Sequence, residues 1–282
     1  MISRRGVIGG LAGVVAPTLA GCGGKPPPAP ASSLRAVPPG LAANGSWRPS
    51  VEGLDAVIDV SHNVQVSDFR AVRKAGILAV IHKSSEGGDW IDPSYAPRRQ
   101  IAEQSRLLWG AYHFGTRQYS GARQAQTFLS AAQPGPTTLL ALDFELNDYN
   151  PANTMRLAQA EEFVHVVYRA TGRFPVVYTH AAWANGERAR RGIRPEPVSP
   201  HSILAQCDLW LADPREPPEV PYAWSARGWR LWQYVANESL ETAAYGSAPR
   251  AIPGVTHCDR NLFAGDATQL VRFWKGSGRT GV

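Results

Sequence analysis

The chain has 282 residues, 44% of them hydrophobic, and a formal charge of +6 from 29 basic and 23 acidic side chains. That length suits one large barrel or two ordinary domains, and the apolar fraction is enough for a sizeable core. The arginines are scattered, and no helix-turn-helix, zinc-finger or RNA-binding pattern accompanies them, so nothing favours nucleic acid as a partner; the charge suits an anionic polymer or simple solubility.

The chain begins with Arg4 and Arg5 before an apolar stretch of about a dozen residues and a small-residue end, the layout of an export signal. The stretch is too short for a comfortable membrane span. Ser3-Arg4-Arg5 resembles a twin-arginine signal. Leu19-Ala20-Gly21-Cys22 resembles the lipobox of bacterial lipoproteins, in which the cysteine is acylated and heads the mature protein. Residues 1–21 thus read as a signal peptide, with a plain cleaved signal and an incidental Cys22 as the alternative. Residues 22–50 carry Pro26-Pro27-Pro28, Pro30, Pro38-Pro39 and many alanines. They bury little apolar surface and read as a linker. The expected location is outside the cytoplasm, lipid-anchored to a bacterial membrane.

From Val51 onward an apolar run, a polar tip and an amphipathic segment recur. The runs are 56–62, 78–86, 107–114, 139–145, 175–180, 208–213, 229–234 and 255–259. Ser67 can cap a helix over 68–75, ended by Gly76. Pro93 can open one reaching about Arg106. Ser120 leads into 121–132, Asn153 caps 154–171 before Gly172, and a shorter helix starts near Ala181. Residues 214–228 and 235–254 show no helical period. The expectation is an α/β protein: a single modified TIM-like barrel over 51–275, five β/α units followed by three β-strands, with 276–282 as a tail. An open doubly wound sheet would expect helices after the last runs too. Cys207 and Cys258 sit among apolar residues, as a disulfide of an exported protein or as two buried thiols.

The fourth run ends Leu142-Asp143-Phe144-Glu145. Alternation puts both acids on one side, roughly 6.6 Å apart along the strand. Two acids that close in a partly dry site do not both ionise easily, so one pKa should rise, the arrangement glycosidic cleavage uses. An isolated Asp-x-Glu serves equally as a strand end that caps a helix or pairs with arginine. The other tips shift the balance: Asp59, Ser61 and His62; Lys83 and Glu86; Tyr112 and His113; Tyr178 and His180; Asp213; Gln233; Asp259. In a β/α barrel all of these ends meet at one mouth. His62, His113 and His180 could converge with Asp59 on a metal, but no close zinc-type pair occurs, and neither metal nor cofactor is expected.

The ordered set Ile58-Asp59-Val60-Ser61-His62, Lys83-x-x-Glu86-Gly87, Gly110-Ala111-Tyr112-His113-Phe114, Leu142-Asp143-Phe144-Glu145, Val177-Tyr178-Thr179, Leu209-Trp210-Leu211-Ala212, Leu231-Trp232-Gln233-Tyr234 and Asp259-x-Asn261-x-Phe263 resembles the glycoside hydrolase family 25 lysozymes, the Chalaropsis-type muramidases. The resemblance covers about residues 54–275. It implies cleavage of the β-1,4 bond between N-acetylmuramic acid and N-acetylglucosamine in peptidoglycan glycan strands; separately, a monomer is expected. By position it makes Glu145 the general acid. Asp143 becomes the acid that orients the acetamido group or stabilises charge, with Asp59 and Asp259 as further acids of the pocket. Tyr112, Tyr178, Trp210, Trp232 and Gln233 match positions lining the sugar cleft, although core packing is an equal reading of the two tryptophans. Retention and inversion both remain open. Two departures occur: His82 precedes the lysine of the second run, and Asn63-Val64-Gln65 replaces aromatic-Gln-Gly after Ser61-His62, which bears on substrate preference at the rim. A wall-binding lipoprotein without turnover is the alternative, against which stands the presence of all four acids. If Cys22 carries the lipid, Cys22→Ser should move the protein from the membrane fraction to the soluble one; an unchanged distribution would remove the anchor.

Overall fold

Runs of Val, Ile, Leu and Ala bounded by turn residues become strands buried on both faces. In a computed structural model, which describes residues 53–187, 193–236 and 251–276, β1 (Leu54–Val60) pairs in parallel with β2 (Ala79–Glu86), whose end carries a two-residue antiparallel strand, β3 (Trp90–Ile91). The parallel ladder continues through β4 (Leu108–Phe114), β5 (Thr138–Asp143), β6 (Val176–Thr179), β7 (Leu209–Ala212) and β8 (Leu231–Val235). Finally β9 (Asp259–Phe263) lies antiparallel between β8 and β1 and closes an eight-stranded barrel. Helices α1 (Phe69–Lys74), α2 (Tyr95–Gln104), α3 (Gly121–Ala132), α4 (Leu157–Thr171) and α5 (Ala181–Ala184) each follow one of the first five barrel strands. That is the expected arrangement of five β/α units and three further strands.

Several boundaries differ from expectation for local reasons. The last barrel strand is not 255–259 but begins at Asp259, because pairing with β1 and β8 selects the alternating Asp259-x-Asn261-x-Phe263 segment. Asp68, not Ser67, caps α1, its carboxylate accepting from the Arg70 amide at 2.8 Å. Asn153 caps no helix; its side chain accepts from the Arg117 and Gln118 amides, and α4 starts three residues after Thr154. Two further helices were not anticipated, α6 (Ile203–Gln206) and α7 (Ala267–Lys275). A reciprocal cap between Asp266 and Gln269 starts α7. Cys207 and Cys258 are free and buried, not bridged, and burial pushes the Cys258 thiol up to about 12.

Strand parity divides the apolar residues into two cores. Ile58, Val80, Leu140, Leu142 and Val177 face outward onto the helices. There α3 and α4 approach so closely that a Cβ on Gly121 would lie 2.0 Å from the Gln159 carbonyl oxygen. Val57, Ala79, Ile81, Leu139, Ala141 and Leu231 fill the barrel, with Leu270 and Trp274 of α7 packed against them from the amino ends of the parallel strands. The Trp274 indole donates to the Trp109 carbonyl at 2.8 Å. A Cβ on Gly110 would come within 3.2 Å of its ring.

Two histidines belong to the outer layer. His82 donates from Nδ1 to the Lys83 carbonyl at 2.7 Å, which leaves Nε2 to accept from Arg98 at 3.2 Å. His113 is stacked on Phe163 and held between Ser85 and Gln124. Burial lowers His82 from 6.5 to about 4 and His113 from 6.5 to about 3, so both are neutral in the fold. Below pH 6.5 the unfolded chain binds protons that the folded chain refuses. This contribution to stability is therefore full above 6.5 and is lost as pH falls toward the folded values. Urea unfolding should show that decline, and His113→Leu should make it shallower; an identical slope in the variant would contradict the assignment. Trp274→Ala should cost about 3–5 kcal/mol by opening the base of the barrel, and a loss within error of zero would show that α7 does not support the core.

Candidate active site

Parity also turns the acids inward. On β5, Leu140, Leu142 and Phe144 are in the outer core and Leu139 and Ala141 in the inner one, so Asp143 and Glu145 follow the inner face. Asp59 on β1 is in register with Asp259 on β9, and Asp143 with Tyr178 on β6. The Tyr178 hydroxyl donates to Gln233 Oε1 at 2.8 Å. The Gln233 amide nitrogen donates in turn to Asp59 Oδ2 at 3.0 Å and to Asp259 Oδ2 at 3.2 Å. All four acids stand at one rim, the carboxyl end of the parallel strands. Asp259 reaches it from the start of its strand rather than the end, because β9 runs the other way.

The relative exposures are 1% for Asp59 and Asp143, 5% for Glu145 and 7% for Asp259. Burying a carboxylate costs several kcal/mol, while a hydrogen bond to a charged group returns about 1.5–3 kcal/mol, so one donor is not enough. Asp59 Oδ2 has a second, Asn261 Nδ2 at 2.9 Å. The carbonyl end of Asn261 accepts from the Trp210 indole at 2.6 Å. Asn261 was not among the expected site residues; its signal is the period-two spacing from Asp259, which puts both on the inner face.

The expected cleft aromatics separate into two groups. Tyr112, Tyr178 and Trp210 are buried inside the barrel, with Trp210 edge-on to Tyr178 at 5.0 Å and to Tyr112 at 6.4 Å. They form a floor beneath the acids. Trp232 is a correction: it neighbours Gln233, so parity sends it to the outer core, where it packs on Trp229 and donates to the Asp213 carbonyl at 2.6 Å.

At the β2 tip, Lys83 Nζ bonds Glu86 at 2.6 Å and lies 5.1 Å from the centres of both the Trp90 and Phe114 rings. Trp90, 36% exposed, also meets the His62 ring at 5.3 Å, and His62 Nδ1 pairs with Asp92 at 2.9 Å. The tip histidines are therefore engaged separately. His62 is on Asp92, His113 is in the outer core, and His180 caps α5 by accepting from the Trp183 amide at 3.2 Å. Burial takes His180 down to about 4. Asp213 is closed off by Arg215, at 2.9 Å to each of its oxygens. Among the described residues no His, Cys, Asp and Glu side chains form a metal-binding group.

Glycosyl hydrolases family 25 matches residues 58–242. Lysozyme M1 of Streptomyces globisporus is 29% identical over 227 residues, covering 76% of this chain and 69% of that protein. An N,O-diacetylmuramidase of Arthroderma benhamiae is 25% identical over 239 residues, 80% of this chain and 88% of that one. The crystal structure of a bacterial lysozyme from Streptomyces coelicolor matches with a TM-score of 0.61 and 25% identity, over 80% of this chain and 99% of the other. The matched segment runs from the end of β1 through β8, with Asp59, the Asp143–Glu145 pair and Gln233 on one rim. The chain belongs to glycosyl hydrolases family 25 and is a glycoside hydrolase.

Proposed function

We propose that the protein is an N-acetylmuramidase that cleaves the β-1,4 bond between N-acetylmuramic acid and N-acetylglucosamine in peptidoglycan. Glu145 protonates the leaving oxygen. Asp143, on the same inner face, carries the negative charge that assists, by orienting the acetamido group or by stabilising the oxocarbenium-like transition state. Asp59 and Asp259 add negative potential across the mouth and a place for water. The observation that carries the reading is the gathering of four buried carboxylates at one barrel rim, two of them bridged by the Gln233 amide. A purely structural rim would not bury so many acids. The lysozyme and muramidase names of the relatives support the substrate class.

The glycan strand is the partner, met by a monomer that the amino-terminal signal exports and Cys22 ties to a membrane. Residues 1–52, which include the signal peptide, Cys22 and the linker, lie outside the described residues.

The purified protein incubated with peptidoglycan should release new muramic acid reducing ends. Glu145→Gln should lower that rate by at least about 100-fold, the scale of general-acid catalysis, while still sedimenting with the wall material. Intact strands with the parent protein bound to them would instead indicate a binding protein without turnover. Appreciable residual turnover in the variant would reassign the acid.

A further inference from the structure

We infer that Asn261, braced by Trp210, is a positioning residue for the reaction, acting through Asp59 and not on the sugar. The inference rests on the reading of Asp59 as an acid of the reaction centre. Asn261 and Trp210 are both fully buried, out of reach of a substrate in the mouth. Asn261 sits on β9 in register with Val57 and Gln233, one inward-facing position below Asp259.

Its amide has one allowed orientation. The oxygen accepts from the Trp210 indole, so the nitrogen must face Asp59 Oδ2. Turning it over would set N–H against N–H and carbonyl against carboxylate. Gln233 is fixed from the other side: its nitrogen faces the Asp59 and Asp259 carboxylates, which only accept, and its oxygen takes the Tyr178 hydroxyl proton. Two amides of fixed orientation thus pin one carboxylate oxygen from two strands. The inner core below the mouth is built of aliphatic and aromatic residues, and an apolar residue in place of Asn261 would take the acceptor from the Trp210 indole and remove one of the donors on Asp59. Packing alone does not ask for an amide here; aiming Asp59 does.

Asn261→Asp keeps the shape and replaces the donor by an oxygen. The buried pair then shares a proton at low pH; once that proton is lost two carboxylates oppose each other, and kcat should fall by up to about 100-fold, the scale for a reacting group misplaced by about 1 Å, with KM little changed. As pH falls and the introduced carboxyl takes up a proton, an O–H donor is restored, so the loss should shrink and the pH optimum should move to acid. Trp210→Phe keeps an aromatic ring between Tyr112 and Tyr178 while removing the indole donor, at the cost of some packing volume, and should lower kcat less. Because Trp210 acts through Asn261, Trp210→Phe combined with Asn261→Leu should cost no more than Asn261→Leu alone. Unchanged kcat and pH profile in Asn261→Asp, or additive losses in the double variant, would overturn the relay. A crystal structure of Asn261→Leu gives an arm independent of turnover: Asp59 should leave its place between the amides, and an unmoved Asp59 would also overturn it. If the parent protein itself releases no reducing ends, the muramidase reading fails instead, and the crystallographic arm still judges the relay.

Discussion

The mouth depends on the reversal of one strand. A β9 parallel to its neighbours would carry Asp259, its first residue, to the base of the barrel beside α7. Running antiparallel between β8 and β1, it brings Asp259 opposite Asp59 and Asn261 opposite Gln233. Like charges directly opposite across a ladder repel. Here a single amide nitrogen, that of Gln233, lies against both carboxylates and offsets the repulsion. Closure of the barrel and assembly of the acidic rim are the same event.

Chemistry and stability occupy opposite ends of that barrel. At the base, small residues such as Ala79 and Gly110 leave room, and Trp274 enters from below. At the top, the interior positions change to Asp, Glu, Gln, Asn and Tyr, whose polar atoms need one another. The aromatic floor of Tyr112, Tyr178 and Trp210 joins the two regimes. The rings belong to the inner core, while the Tyr178 hydroxyl and the Trp210 indole supply the donors that orient the amides above. Aromatic residues with one apolar body and one polar handle suit that boundary.

The rim also shows how little residue type reveals without environment. His62, His113 and His180 all lie near strand tips in the chain, yet one pairs with an aspartate, one packs in the outer core and one caps a helix. Lys83 is buried against Glu86 and two aromatic rings, so its ammonium is met by one carboxylate and two ring faces and not by solvent.

The sequence by itself determined the architecture and the acids. Apolar runs ending in polar residues specified five β/α units and three more strands, and the Asp143-x-Glu145 spacing specified one shared face. These are local properties, because alternation and capping operate over a few residues. Tertiary structure alone decided which strand was reversed, where β9 began, and that α7 plugs the base, since each follows from pairing or burial against distant parts of the chain. It also separated Trp210 from Trp232: both precede a polar tip, but each strand's parity relative to the closed barrel sends one ring inside and the other out. Asn261 emerged as a partner of Asp59 for the same reason, since a contact across 202 positions of sequence exists only once the barrel closes.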